Sequence, residues 1–234
     1  MEVIQCYLQG AKHKTQNQPC EDRTYTLTKN DVTAIALADG AGSHKYTHAA
    51  DGAECVTKTV CKFFCNNFDK FYETDDLSQL SAVLITVCRR ALEEKKKDIN
   101  VDDIARLSST MLAVAVKNHR YIACHIGDGV IGKLTSSGTA VISPPENGEF
   151  AGTTYFVTSS EADRHLHLYK GNTADDISYF LMSDGMQTYV YDEQSNCFYD
   201  AVRKMALLLF KKNGQGKLTE TMMKYMVEAD PMSD

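Results

Sequence analysis

The chain has 234 residues, 43% hydrophobic and 24% charged, and a formal net charge of −6. That length suits one large domain or two small ones, and the composition is that of a globular protein with a real core. The acidic balance argues against a general nucleic-acid binder, and no apolar run reaches the length of a membrane span.

In chain order, Val3 to Gln9 alternates partly and reads as a strand. Thr24–Thr28 and Val32–Ala38 are expected to form a hairpin through a Lys29-Asn30-Asp31 turn. A Gly-Ser-His loop follows from Gly40 to Thr47. A helix is expected from about His48 to Phe68, where Ala53, Val56, Val60 and Phe63 or Phe64 recur at helical spacing. A second is expected from about Leu77 to Lys97, with Leu80, Val83, Leu84, Val87, Cys88, Ala91 and Leu92 on one face. Its Lys95-Lys96-Lys97 run suits the helix dipole and is given no role beyond solubility.

The middle reads as a meander: Ser109–Val116, Tyr121–Ile126, Val130–Leu134 and Thr139–Ser143, broken by Pro144-Pro145-Glu146-Asn147-Gly148. Tyr155–Ser159, His165–Tyr169 and Ile177–Met182 are expected as further strands, then helices over Asn196–Lys211 and Thr219–Glu228. Strands and helices are segregated, so the fold class expected is α+β, with antiparallel sheets packed together and helices outside. No long linker divides the chain, so one domain over 1–234 is expected.

No leader segment is visible, and none of the eight cysteines (Cys6, Cys20, Cys55, Cys61, Cys65, Cys88, Cys124, Cys197) forms a Cys-x-x-Cys pair. They read as reduced thiols of a cytoplasmic protein.

Three apolar runs end in Asp-Gly, at Asp39-Gly40, Asp128-Gly129 and Asp184-Gly185. A carboxylate just past a buried strand sits on a rigid scaffold, at a rim where a site can form. Three such carboxylates brought together repel one another, and bound cations make the cluster tolerable. Asp51-Gly52 serves as a control, since it has no strand before it and reads as a helix start. His165 and His167, two apart, are expected on one face of a strand and far from the acidic motifs.

Five segments occur in order: Pro19-Cys20-Glu21-Asp22, Ala38-Asp39-Gly40-Ala41-Gly42-Ser43, Ser109-Thr110-Met111-Leu112, His125-Ile126-Gly127-Asp128-Gly129 and Met182-Ser183-Asp184-Gly185-Met186. Over nearly the whole chain they resemble the type 2C metal-dependent protein serine/threonine phosphatases, the PPM fold. The likeness is to the compact bacterial members, whose first segment is Gly-x-x-His followed by Pro-Cys-Gln-Asp. Here Gly10-Ala11-Lys12-His13 and Pro19-Cys20-Glu21-Asp22 stand in those places.

The resemblance implies a four-layer α/β/β/α sandwich with two Mg²⁺ or Mn²⁺ ions, and a third, more labile one, at one end. It makes Asp39 the bridging ligand, with the Gly40 carbonyl on one ion and Asp184 on the other. Asp22 would hold metal-bound water, Glu21 would be a closer ligand, and Asp128 would share the third site with Asp184. Asp234 would be the closing carboxylate, with the family's last strand missing after it. The phosphate-clamping Arg of many members has no counterpart, so His13 with Lys12, Lys14 or Arg23 would contact phosphate. His13 would also protonate the leaving oxygen. Hard divalent ions want such oxygen ligands. Two of them roughly 3.5–4 Å apart lower the pKa of a shared water and neutralise charge on the phosphoryl oxygens.

The implied function is metal-dependent hydrolysis of phosphoserine or phosphothreonine in proteins, opposite a serine/threonine kinase, with no nucleic-acid or membrane partner. The alternative is a catalytically weak or inactive phosphatase-fold module that binds a phosphoprotein or regulatory partner. A different two-metal phosphoester hydrolase, such as a nuclease, is disfavoured by the acidic balance. The short stretch between Glu146 and Thr154, where larger members carry a flap, implies an open cleft.

Overall fold

Odd and even residues of short strands face two different layers here, and that sets the architecture. The computed structural model describes residues 3–5, 20–148, 153–173, 178–208, 216, 217, 220, 221 and 224. Strands β1 (Arg23–Lys29) and β2 (Val32–Ala38) form the expected hairpin, from Arg23 opposite Ala38 to Lys29 opposite Val32. Its turn residues Asn30 and Asp31 have φ of 55° and 61°, values that Asn and Asp tolerate better than most side chains.

Strands β3 (Met111–Lys117) and β4 (Arg120–Ile126) continue the sheet. Val32, Ala34, Ala36, Met111, Ala113, Ala115, Ile122, Cys124 and Ile126 face one side. Ile35, Leu37, Leu112, Val114, Val116, Tyr121 and Ala123 face the other. Both faces are covered, so these strands read as continuous apolar runs.

The five-stranded sheet runs β1-β2-β3-β4-β7, with β7 at His167–Asn172. A second sheet runs β6-β5-β8, from β5 (Val130–Thr135), β6 (Gly138–Ser143) and β8 (Ser178–Met182). Every pairing within both is antiparallel. Ile131, Ile142, Tyr179 and Leu181 of the second sheet meet the inner face of the first.

Helices α1 (Ala49–Glu73) and α2 (Leu77–Asp98) cover the outer face of the first sheet. In α1 the buried stripe is Ala53, Val56, Val60, Phe64, Phe68 and Phe71, at three- and four-residue intervals. Burying a side chain such as Phe64 is worth about 2 kcal/mol over leaving it in water. The small Ala34 and Ala36 let α1 approach β2 closely. Asp76 caps α2 by accepting from the Gln79 N–H at 2.9 Å.

The outer face of the second sheet carries α4 (Asp184–Val190), a hairpin of β9 (Tyr191–Asp192) and β10 (Cys197–Phe198), and α5 (Asp200–Leu208). Val130, Val190, Tyr191, Phe198, Val202 and Met205 form the core there. The result is the four-layer α/β/β/α sandwich.

Several elements differ from the expected ones. Helix α1 runs past Phe68 to Glu73, because Phe71 is drawn into the aromatic cluster of Phe63 and Phe64, with ring centroids 5.5 Å from each. Tyr155–Ser159 is a turn rather than a strand, because the Ser159 hydroxyl and Phe156 carbonyl take up local N–H groups at 3.0 and 2.9 Å. His165 closes the short helix α3 (Ala162–His165), and the strand begins only at His167. Asn196 sits in the β9–β10 turn with φ of 50°, so the next helix starts at Asp200. Most of Val3–Gln9 and of Thr219–Glu228 lies outside the described residues.

Candidate metal centre

Antiparallel pairing places the acidic motifs at one rim. Strands β2 and β4 are each antiparallel to β3, so they run the same way and end at the same edge. The chain after them carries Asp39 and Asp128. Strand β1 begins where β2 ends, which sets Glu21 and Asp22 beside Asp39. Strand β8 ends with Met182 opposite Val130, the first residue of β5, so Asp184 arrives beside Asp128.

Local bonds fix the loops. The Asp39 N–H donates to the Thr110 hydroxyl, and the Thr110 N–H donates back to the Asp39 carbonyl, both at 2.9 Å. The Ala41 N–H donates to the Ser108 carbonyl at 3.0 Å, and Gly40 bridges to Ser109. Gly127 has φ of 120°, and a Cβ there would lie 2.5 Å from the Thr110 methyl. Only glycine lets the turn before Asp128 pack this closely on the residue that holds Asp39.

The electrostatics are those of crowded carboxylates. The Asp39 carboxyl is held well above its ordinary value, first by burial, then by the charges of Asp22, Asp184 and Asp128. Burial and then Asp184 push both Asp22 and Asp128 up to about 6. Burial and then Asp22 push Glu21 up to about 7. The Asp22 and Asp184 carboxyls both stand beside that of Asp39.

Among the described residues no three His, Cys, Asp or Glu side chains are placed so that they could together hold a metal ion. The donor set nonetheless fits divalent cations. All its atoms are hard oxygens, the charges repel until neutralised, and Asp22 Oδ1 is buried without a hydrogen-bond partner.

Of the residues named from the sequence, Asp22, Asp39, Asp128 and Asp184 come together. Glu21 lies against Gly40, its Cβ 2.9 Å from where a Gly40 Cβ would stand. His13 and Asp234 lie outside the described residues, as do Lys12 and Lys14. The Arg23 guanidinium donates to the Cys20 and Asp22 carbonyls at 2.8 and 2.7 Å, so it braces the turn that carries Asp22. Sequence reasoning missed Thr154, whose hydroxyl stands beside Asp128 and lowers its carboxyl, and gave Thr110 no role. Neither has a local signal, because each acts on a residue distant in the chain. His165 and His167 do not share a strand face. They meet on Glu146, at 2.9 and 2.8 Å.

Just inside the rim, His125 is fully buried between the sheets. Its Nδ1 lies 2.8 Å from the Ser143 hydroxyl, which donates to the Tyr169 hydroxyl at 3.2 Å, and its Nε2 is buried without a partner. Burial, then His167, lowers it from 6.5 to about 3, so it is neutral when folded. A base depressed on folding contributes stability that is present above its unfolded value and lost as pH falls. Between pH 6.5 and about 3 the unfolded chain binds a proton that the native state refuses, at up to about 1.4 kcal/mol per pH unit. His125→Gln is therefore expected to flatten this part of the stability profile relative to wild type. Urea unfolding at pH 7, 6 and 5 checks it, and parallel profiles would refute it.

A family model described as protein phosphatase 2C matches residues 9–223. Among solved structures, the fold is similar to the S. agalactiae serine/threonine phosphatase at 15% identity and a TM-score of 0.58, covering 92% of this chain and 88% of that one. It is similar to the Mycobacterium tuberculosis serine/threonine phosphatase PstP/Ppp at 16% identity and a TM-score of 0.57, covering 91% and 87%. A structure of the PstP catalytic domain in complex with two manganese ions matches at 17% identity and a TM-score of 0.54, covering 91% and 85%. No curated protein matches the sequence.

Proposed function

Since this chain belongs to the protein phosphatase 2C family, we propose that it is a divalent-metal-dependent phosphatase acting on phosphoserine and phosphothreonine in proteins. The observation that carries this reading is the gathering of Asp22, Asp39, Asp128 and Asp184 at one rim, each of the first three held above its ordinary carboxyl range by burial and by its neighbours.

In this reading Asp39, the Gly40 carbonyl and Asp184 hold Mg²⁺ or Mn²⁺. Asp22 and Glu21 hold coordinated water or ligate directly. Asp128 shares a third ion with Asp184, and Asp234 closes the set. When bound, such ions supply an activated water and neutralise charge on the phosphoryl group. The chain's own contribution is placement: Thr110 fixes the backbone of Asp39, Arg23 braces Asp22, and His13 donates a proton to the leaving oxygen. The proposal takes 1–234 as one domain and a phosphorylated cytoplasmic protein, opposite a serine/threonine kinase, as its partner. No helix among the described residues is long and apolar enough to cross a membrane.

Hydrolysis of p-nitrophenyl phosphate and a phosphothreonine peptide, with Mn²⁺, with Mg²⁺ and with EDTA, tests this. Turnover with either metal, abolished by EDTA, is the expected result. A folded, Mn²⁺-binding chain that hydrolyses neither substrate would replace this reading with the non-catalytic binding module.

A further inference from the structure

One carboxylate outside the metal centre gathers two imidazoles. Glu146 follows β6 and the Pro144-Pro145 break. Its Oε1 lies 2.9 Å from His165 Nδ1 and its Oε2 lies 2.8 Å from His167 Nε2. The His165 ring is stacked on Tyr155, with centroids 3.4 Å apart and planes 11° from parallel. Both carboxylate oxygens are thus engaged, by residues from the end of α3 and the start of β7.

The other side of Glu146 faces the candidate site. Its N–H donates to the Gly127 carbonyl at 2.9 Å, one residue before Asp128. Asn147 bridges to Thr154, and the Gly148 N–H donates to the Thr153 carbonyl at 2.7 Å. Glu146 to Gly148 and Thr153 to Thr154 therefore make a short ladder. The Thr154 hydroxyl donates to the Glu146 carbonyl at 3.5 Å, across the ladder, and stands close enough to the Asp128 carboxyl to lower it. That one ladder holds the turn before Asp128 by its backbone and sets a hydroxyl beside its side chain.

We propose that Glu146, His165 and His167 form a clamp that positions Asp128 for metal binding. The inference rests on the metal reading of Asp128 given above. The three clamp side chains touch neither metal nor substrate. They tie the foot of the ladder to α3 and β7, and the ladder sets the orientation of Asp128. Loosening the clamp frees the carboxylate to turn away, which weakens the ion it shares with Asp184 and leaves the Asp39 side of the centre in place.

The test is Mn²⁺ titration by calorimetry of wild type, Glu146→Gln, Asp128→Asn and the double variant, with p-nitrophenyl phosphate turnover against Mn²⁺ concentration alongside. Glu146→Gln is expected to weaken the weakest Mn²⁺ site about tenfold, as outer residues that orient a ligand do. The Mn²⁺ needed for half-maximal turnover rises with it, and kcat at saturating metal stays within about twofold. The double variant is expected to bind Mn²⁺ no worse than Asp128→Asn, because both changes act through one carboxylate. Wild-type Mn²⁺ binding by Glu146→Gln, or effects that add in the double variant, would overturn the clamp. A kcat that falls at all Mn²⁺ concentrations would also overturn it, by showing a general structural role. Should Glu146→Gln not fold, His167→Gln is read the same way. If no form turns over substrate, the calorimetric arm still decides the clamp and the phosphatase reading fails separately.

Discussion

Asp39→Asn is expected to lower turnover by about 10³-fold and, in EDTA, to make the protein more resistant to urea than wild type. The two effects share a cause. Asp39 is the carboxyl that the other three press on, and burial opposes its ionisation further. A carboxyl raised on folding makes the native state hold a proton that the unfolded chain releases. Metal-free stability therefore falls as pH rises from 3.8 through the raised native value. Asp22 and Asp128, each pushed to about 6, act in the same direction between 3.8 and 6. Asn removes the central charge and keeps the shape, so the repulsion at the rim is relieved. With Mn²⁺ the order reverses, because binding at 100 times the dissociation constant adds about 2.7 kcal/mol to wild type alone. Turnover assays with urea unfolding in EDTA and in Mn²⁺ check this. An Asp39→Asn protein that keeps wild-type activity, or is less stable in EDTA, would refute it.

Gly52→Ala is expected to be the most damaging alanine substitution among the described glycines. Gly52 lies in the first turn of α1, and a Cβ there would stand 1.9 Å from the Leu107 carbonyl oxygen. The obstacle is backbone, so α1 and the 3₁₀ turn of Ile104–Leu107 must separate. Overpacking of this kind costs about 3 kcal/mol, the upper end of the usual range. For a chain of this size the melting temperature falls by about 6–12 °C. The site is affected too, since Leu107 leads directly into Ser108, Ser109 and Thr110, which hold Ala41, Gly40 and Asp39. A raised Mn²⁺ requirement should accompany the lower melting temperature. Gly42→Ala is the control, because its Cβ would meet nothing closer than 3.7 Å. Equal melting of the two variants would refute the prediction.

These cases mark what the sequence discloses. Asp39, Asp128 and Asp184 are legible because each closes an apolar run and precedes a glycine, signals carried by adjacent residues. The two-layer burial of β2 to β4 is legible from unbroken apolar stretches. Gly52 looks like a helix-start residue because its partner, Leu107, is distant in the chain. Thr110 and Thr154 look like any strand or loop threonine until antiparallel pairing sets them beside Asp39 and Asp128. The two histidines on Glu146 misled for the same reason. Their spacing suggests one strand face, but the helix that ends at His165 turns the chain between them.

The thiols divide the sandwich unevenly. Cys61, Cys65, Cys88 and Cys124 all sit in the layer between the first sheet and helices α1 and α2. Burial pushes each of them up, Cys88 to about 12. Neither the interface between the sheets nor the core over the second sheet counts a cysteine among its described residues. An alkylating reagent reaches those four sulfurs only when the α1–α2 layer lifts from its sheet. The chain thus carries an intrinsic chemical reporter for the breathing of one layer, while exposed Cys197 marks the background rate of reaction at the surface.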